Sequence, residues 1–188
     1  MPERRPPIEA QGQSLAELAA AIEQRGGPPP VDQWNPPFCG HSGMRIERDG
    51  TWFHEGRPIR RQAMVRLFAS VLRREPDGSH VLVTPVEKLA IDVRATAFRA
   101  TQMTMAGDGQ TRRIGLTLDS GDALIVGEEH PLLVVETDEG PSPRVAVRFG
   151  LEAELARPLY YELAQIALDE GHNPPGVWSD GMFFKLLP

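Results

Sequence analysis

Between residues 80 and 150 the apolar residues come in runs of four at most, Ala123 to Val126 and Leu132 to Val135 being the longest, and turn formers separate them. The stretch reads as short strands joined by tight turns. The strands predicted are His80 to Thr84, Leu89 to Val93, Ala97 to Met105, Arg113 to Leu118, Ala123 to Val126, Leu132 to Glu136 and Arg144 to Arg148. Gly107-Asp108-Gly109 and Asp119-Ser120-Gly121 join consecutive strands, which is meander chemistry and implies antiparallel pairing. No run in the chain approaches the ~20 apolar residues that a membrane-spanning helix requires.

Two further strand pairs announce themselves by Asp-Gly. Met44 and Ile46 alternate before Asp49-Gly50, and Thr51-Trp52-Phe53 follows. Asp-Gly between strand-like runs predicts a type I′ hairpin, whose two central residues both need positive φ. Near the end of the chain, Val177 to Phe184 aligns with Ile46 to Phe53, Asp-Gly over Asp-Gly and aromatics over aromatics. That match implies a duplicated unit, with Trp52 and Phe183 in comparable buried settings.

Helices accompany both hairpins. From Arg60 to Glu75, Met64, Val65, Leu67, Phe68, Val71 and Leu72 recur at helical spacing until Pro76-Asp77-Gly78 stops them. A second helix starts at Pro158, buries Leu159, Leu163, Ile166 and Ala167, and ends at Gly171. At the N-terminus Ser14 and Glu17 form a capping box for a helix to Arg25, with Leu15, Leu18, Ala19 and Ile22 on one face. Gly26-Gly27, Pro28-Pro29-Pro30 and Pro36-Pro37 make residues 26–38 an extended, polyproline-like connection anchored by Trp34. The class is α+β: two small lobes related by duplication, each a largely antiparallel sheet or partial barrel with one packed helix, plus an N-terminal helix. The expected divisions are residues 1–37 for the helix and proline-rich arm, 38–96 for the first lobe and 97–188 for the second, β-rich lobe.

Composition narrows the function. Cys39 is the single cysteine, so no intramolecular disulfide can form. The start, Met1 to Pro7, has no apolar stretch behind its charges and is not a signal peptide, and the chain is read as cytoplasmic. Net charge is −6, split as +2 over residues 1–100 and −8 over residues 101–188. Residues 44–74 hold eight arginines and three acids, the one basic concentration in a chain with 18 Arg and 2 Lys. Those arginines are either a solvated face or an anion site, since guanidinium forks match carboxylate and phosphate geometry. Nucleic acid is not an expected partner of so acidic a chain.

Motif searches eliminate more than they find. Gly40-His41-Ser42-Gly43-Met44 lacks the second glycine of a nucleophile elbow. Cys39 and His41 have no further pair with which to build a zinc site, and no metal or other cofactor is expected. Gly107-Asp108-Gly109 leads into a strand and is a turn, not a dinucleotide fingerprint. Of the histidines, His54 stands out because Trp52, Phe53, Arg57, Arg60 and Arg61 surround it in sequence. Tyr160-Tyr161 reads either as core and rim of a helix or as a stacking platform.

Val81-Leu82-Val83-Thr84-Pro85-Val86-Glu87-Lys88, followed by Ile91-Asp92-Val93 and Ala97-Phe98, carries a family resemblance together with Arg45-Ile46, Asp49-Gly50-Thr51-Trp52, Gly56, Pro58-Ile59 and Val65 to Phe68. Over roughly residues 36–186, and most specifically in the first half, the chain resembles the bacterial domain-of-unknown-function family 1285. The resemblance implies a domain duplication whose second lobe is superficially pleckstrin-homology-like. It also implies a groove between lobes for a nucleotide-like ligand and a part in signalling, with no established activity. Its marks fall on Arg45, Asp49, Trp52, Pro58, Arg61, Thr84, Glu87 and Lys88.

The reading adopted is a non-enzymatic protein that binds a small anionic ligand through Arg45, Asp49, Trp52, His54, Arg61, Glu87 and Lys88, with Arg45, His54, Arg61 and Lys88 converging on the groove. Its rivals are an enzyme acting on a phosphorylated metabolite, with His54 as general acid or base, and an interaction adaptor that recruits a protein partner or a second copy by strand addition. A helix of about a dozen residues is marginal alone in water, so residues 14–25 should dock on a lobe or on a second subunit. Deleting residues 1–30 is expected to lower the melting temperature, by roughly 2–4 °C for each kcal/mol that docking contributes. An unchanged melting curve would mark the segment as a free tail.

Overall fold

The computed structural model describes residues 29–188, and the helix expected over residues 14–25 lies outside them. The first lobe runs β1 (Phe38–Ile46), β2 (Trp52–His54), β3 (Arg57–Pro58), α1 (Gln62–Ser70), β4 (Leu72–Arg74), β5 (His80–Val83) and β6 (Lys88–Val93). The second runs β7 (Phe98–Ala106), a 3-10 turn (Gly109–Thr111), β8 (Arg113–Leu118), β9 (Ala123–Ile125), β10 (Leu132–Thr137), β11 (Gly140–Ala146), β12 (Glu152–Leu155), α2 (Arg157–Asp169) and a hairpin of β13 (Gly176–Ser179) and β14 (Met182–Lys185). These are two sheet-dominated lobes with one helix each, the α+β class expected.

The duplication is visible in strand order. The first sheet reads β3-β2-β1-β6-β5-β4 and the second, taken from its other edge, β9-β8-β7-β12-β11-β10. In both, the first strand of the lobe meets the sixth in the single parallel pairing of an otherwise antiparallel sheet. The repeat therefore sets β1–β6 over β7–β12, not the first hairpin over the last as the Asp-Gly match implied. β13 and β14 form a separate two-stranded sheet outside the repeat. The helices are not equivalent either: α1 lies between the third and fourth strands of its lobe, and α2 follows the sixth.

The two Asp-Gly turns also differ. At the second, Asp180 (φ 50°) and Gly181 (φ 78°) both adopt the left-handed conformation a type I′ turn needs. At the first only Gly50 does, with φ 87°, and Gly50 N–H donates to Glu47 O at 3.0 Å, closing a turn one residue longer. One residue flips the face of a strand. Ile46 pairs with Trp52, whereas Val177 pairs with Phe184, so Phe184 (6% exposed) takes the inward place that Trp52 (4%) holds in the first lobe. Phe183 is half-buried, against the rings of His172 and Trp178.

Tertiary contacts overrode local signals in two more places. α1 stops at Ser70 rather than running to Glu75, because Val71 and Leu72 enter the core, Leu72 in antiparallel register with Leu82. In the arm, residues 31–33 turn instead of extending, and Val31 is the fully buried anchor with Trp34 packed beside it. Arg73 Nη1 holds the turn by donating to the carbonyls of Val31 (2.6 Å) and Trp34 (2.8 Å).

One continuous hydrophobic core passes through both lobes, with Trp52 stacked on Phe68 on one side and Phe98 among its second-lobe members. Arginines stitch the lobes at the rim. Arg99 Nη1 donates to Arg48 O (2.8 Å), Arg148 Nη2 to Ala69 O (3.4 Å), and the backbone N–H of Arg74 to Phe149 O (3.0 Å). Arg48–Glu139 (2.7 Å) and Arg74–Glu152 (3.9 Å) are ion pairs between the positive half and the negative one.

The C-terminal hairpin is tied to the repeat by Arg112, 8% exposed at its side chain, which pairs with Glu170 (23%) while its carbonyl accepts Asp180 N–H at 2.9 Å. The guanidinium holds the Glu170 carboxyl below its usual range, so the pair contributes fully above the ordinary carboxylate pKa and its contribution is lost as pH falls through the lowered one. Arg112→Ala is expected to destabilise by about 2–3 kcal/mol, less than for a fully buried pair because Glu170 can rehydrate. It should also flatten the acid side of the stability curve, both effects read by melting at a series of pH values.

Candidate functional site

Three of the cavities among the described residues lie where the lobes meet; one, of about 380 Å³ between Arg74–Gly78 and Gly150, holds none of the nominated residues, and the other two bear on the site. The larger, about 570 Å³, has the β1–β2 turn and the β6–β7 connection on one wall and β7, β10–β12 and the start of α2 on the other. It is lined by Arg48, Arg94, Arg99, Arg144 and Arg157, and by two acids, Glu139 and Glu154, for +3 within a chain of −6. Three of the five arginines are engaged: Arg48 by Glu139, Arg99 by the Arg48 carbonyl, and Arg144 by Ser142 Oγ (3.1 Å) and Glu152 (3.2 Å). Arg94 and Arg157 are exposed and have no side-chain partner among the described residues. Tyr160 and Tyr161 also line it; the Tyr160 hydroxyl donates to Leu186 O at 2.7 Å, and Tyr161 is 64% exposed.

Local sequence explains this placement. α2 can begin at Arg157 because Pro158 in its first turn has no N–H to leave unsatisfied. Its apolar face, with Leu163 and Ala167 buried, turns Tyr160 onto the core and leaves Tyr161 at the rim. This is the core-and-rim arrangement, yet it still puts both rings beside the cavity.

The smaller cavity, about 200 Å³, has a different character. Trp52, Ile59, Val65 and Phe98 line it together with Asp49 and Asp119. Asp49 Oδ1 accepts the backbone N–H of Thr51 at 2.9 Å, which holds its carboxyl low, whereas burial pushes the Asp119 carboxyl up. A pocket with two carboxylates and apolar walls disfavours an anion.

Of the seven residues the sequence nominated, the structure brings only Asp49 and Trp52 to a cavity between the lobes, and it is the acidic one. Arg45, His54, Arg61, Glu87 and Lys88 line neither cavity, so the expected convergence of Arg45, His54, Arg61 and Lys88 is not what the fold builds. Arg45 pairs with Glu47 and lies 4.8 Å over the Phe53 ring, its cross-strand neighbour. His54 Nε2 is buried without a hydrogen-bond partner among the described residues. Arg61 is exposed at the start of α1. Lys88 Nζ lies 3.7 Å from Glu75, the acid that also pairs with Arg73 under the arm. The Glu87 carbonyl accepts the Thr84 N–H at 2.9 Å, and the buried Thr84 hydroxyl accepts from Glu87 N (3.2 Å), so these two residues hold the turn into β6. Pro58 is exposed in β3, opposite Phe53.

Sequence reasoning missed the arginines that do converge, because it weighted local density. Those of the larger cavity are spread from residue 48 to residue 157 and only the fold collects them. The signal available was Tyr160-Tyr161 next to Arg157 at a helix start.

Comparison with known proteins agrees with this architecture. The model of the N-terminal domain of the domain of unknown function DUF1285 matches residues 29–96, and that of the C-terminal domain of the DUF1285 proteins matches residues 97–186. No curated protein matches. A crystal structure of a DUF1285 family protein from Silicibacter pomeroyi DSS-3 is similar at 44% identity and a TM-score of 0.80, over 92% of this chain and 94% of that one. One from Shewanella baltica OS155 shares the fold, at 23% identity and a TM-score of 0.53 over 66% of this chain and 92% of that one. With both domain models matched in order and end to end, the chain belongs to the DUF1285 family.

Proposed function

We propose that this protein binds a small, multiply anionic, nucleotide-like metabolite in the larger cavity and acts without catalysis as a cytoplasmic sensor in signalling. The observation that supports this most is the cavity's charge: five guanidinium groups against two carboxylates, in a chain that is acidic overall. Like charges gathered in one cleft repel, and an anion relieves that repulsion through charge-assisted hydrogen bonds of about 1.5–3 kcal/mol each. Arg94 comes from the first lobe and Arg157 from the second, so an anion that engages both bridges the lobes and makes their relation depend on occupancy. The exposed Tyr161 ring offers a face on which a flat heterocycle can stack.

A melting screen against nucleotides and phosphorylated metabolites tests the reading, since ligand at ~100 times its dissociation constant stabilises by ~2.7 kcal/mol. Arg94→Ala with Arg157→Ala should leave the empty protein's melting point unchanged or slightly raised, because both side chains are exposed and their mutual repulsion is removed, and should weaken binding on the order of 10-fold to 100-fold per residue. Ligand stabilisation that survives the double substitution would sink the proposal. Glu139→Gln should act in the opposite sense. It frees Arg48 from a pair whose side chains are 60% and 65% exposed, so it costs at most about 1 kcal/mol of stability and should tighten anion binding severalfold, read by titration calorimetry.

A further inference from the structure

β12 runs between β11 and β7, and its Glu154 is the cross-strand partner of Arg144 on one side and Arg99 on the other. Residues paired this way project from the same face of a sheet, so a carboxylate between two guanidinium groups would ordinarily ion-pair with one of them. This one pairs with neither. Arg144 turns to Ser142 and Glu152, and Arg99 reaches across to the first lobe. Among the described residues the Glu154 side chain accepts a single hydrogen bond, from Ser142 Oγ to Oε1 at 2.8 Å, and Oε2 has no donor. Ser142 is 4% exposed, so its hydroxyl fixes the carboxylate in place rather than moving with solvent. Both residues line the larger cavity.

A fixed acceptor held apart from the cations beside it, in a cavity whose other charges attract anions, is suited to an N–H donor on an otherwise anionic molecule. It also repels any anion that brings no such donor, which is selection by exclusion. Resting on the anion-binding reading above, we infer that Glu154 selects a phosphorylated ligand whose flat ring presents adjacent N–H donors, as the N1–H and 2-amino edge of guanine does. Adenine places an acceptor where guanine has N1–H, so Oε2 would face a lone pair. Arg94 and Arg157 then meet the phosphate while Tyr161 covers the ring.

The experiment is titration of the full chain with guanosine 5′-monophosphate, adenosine 5′-monophosphate and inorganic pyrophosphate, in wild type, Glu154→Gln and Glu154→Ala. The guanine nucleotide should bind wild type on the order of 10-fold to 100-fold more tightly than the adenine nucleotide. Glu154→Ala should erase that preference and Glu154→Gln should reduce it, while pyrophosphate, which has no ring, binds the variants at least as well as wild type. Equal binding of the two nucleotides to wild type, or a preference that survives both variants, overturns the role of Glu154 and leaves the anion site standing. If neither nucleotide nor pyrophosphate binds wild type, the anion site falls and this inference with it.

Discussion

Everything in this fold depends on the parallel pairing that closes each lobe. β1 lies beside β6 and β7 beside β12, so the first strand of each sheet ends up in its middle. Parallel strands cannot be joined by a tight turn. The connection here is four further strands, two laid outward on one side and two returning from the far edge. The result leaves short or covered edges: β3 has two residues and β9 three, and the backbone of β4 is met by Phe149 of the other lobe. It also brings the end of the first lobe and the start of the second to one place, where Arg94 and Arg99 flank the larger cavity.

Arginine does the joining. Lysine offers one ammonium point, whereas a guanidinium presents a fork that spans two acceptors. Arg73 uses it to hold the carbonyls of Val31 and Trp34 together with Glu75, Arg144 to hold Ser142 and Glu152, and Arg148 to reach Asp122 and Ala69 while lying 5.2 Å over the Phe98 ring. The arginines, which the sequence left as either a solvated face or an anion site, serve in part to satisfy backbone carbonyls between strands and lobes, as Arg73, Arg99 and Arg148 do. Arg94 and Arg157 are the two in the larger cavity left over from that work among the described residues, which is why they carry the functional proposal.

Most strands of the second half were legible because alternation and turn residues are local quantities, and α2 because Pro158 and Gly171 punctuate it. β1 was legible only from Met44 onward. Its first half, Phe38 to Gly43, carries two glycines in the left-handed conformation, and its pairing with β6 is irregular between Phe38, His41 and Arg45. Nothing in a window of that size announces a partner some fifty residues away. The Asp-Gly likeness between the two ends was real as turn chemistry and misleading as homology, since local turn signals recur wherever strands reverse. The site suffered from the same limit: Arg57, Arg60 and Arg61, close together in sequence, are exposed and line neither cavity.

The central parallel pair also sets a timetable for synthesis. The first sheet has all its strands once Val93 has left the ribosome, and at ~5–20 residues per second the remaining half takes on the order of 5–20 s to emerge. A closed first sheet must wait through that interval with the part of the shared core that Phe98 and its neighbours later cover still facing water. The nascent chain therefore presents its stickiest surface when it is half made, and the time until the second lobe arrives is the time during which a chaperone or another nascent copy can reach it.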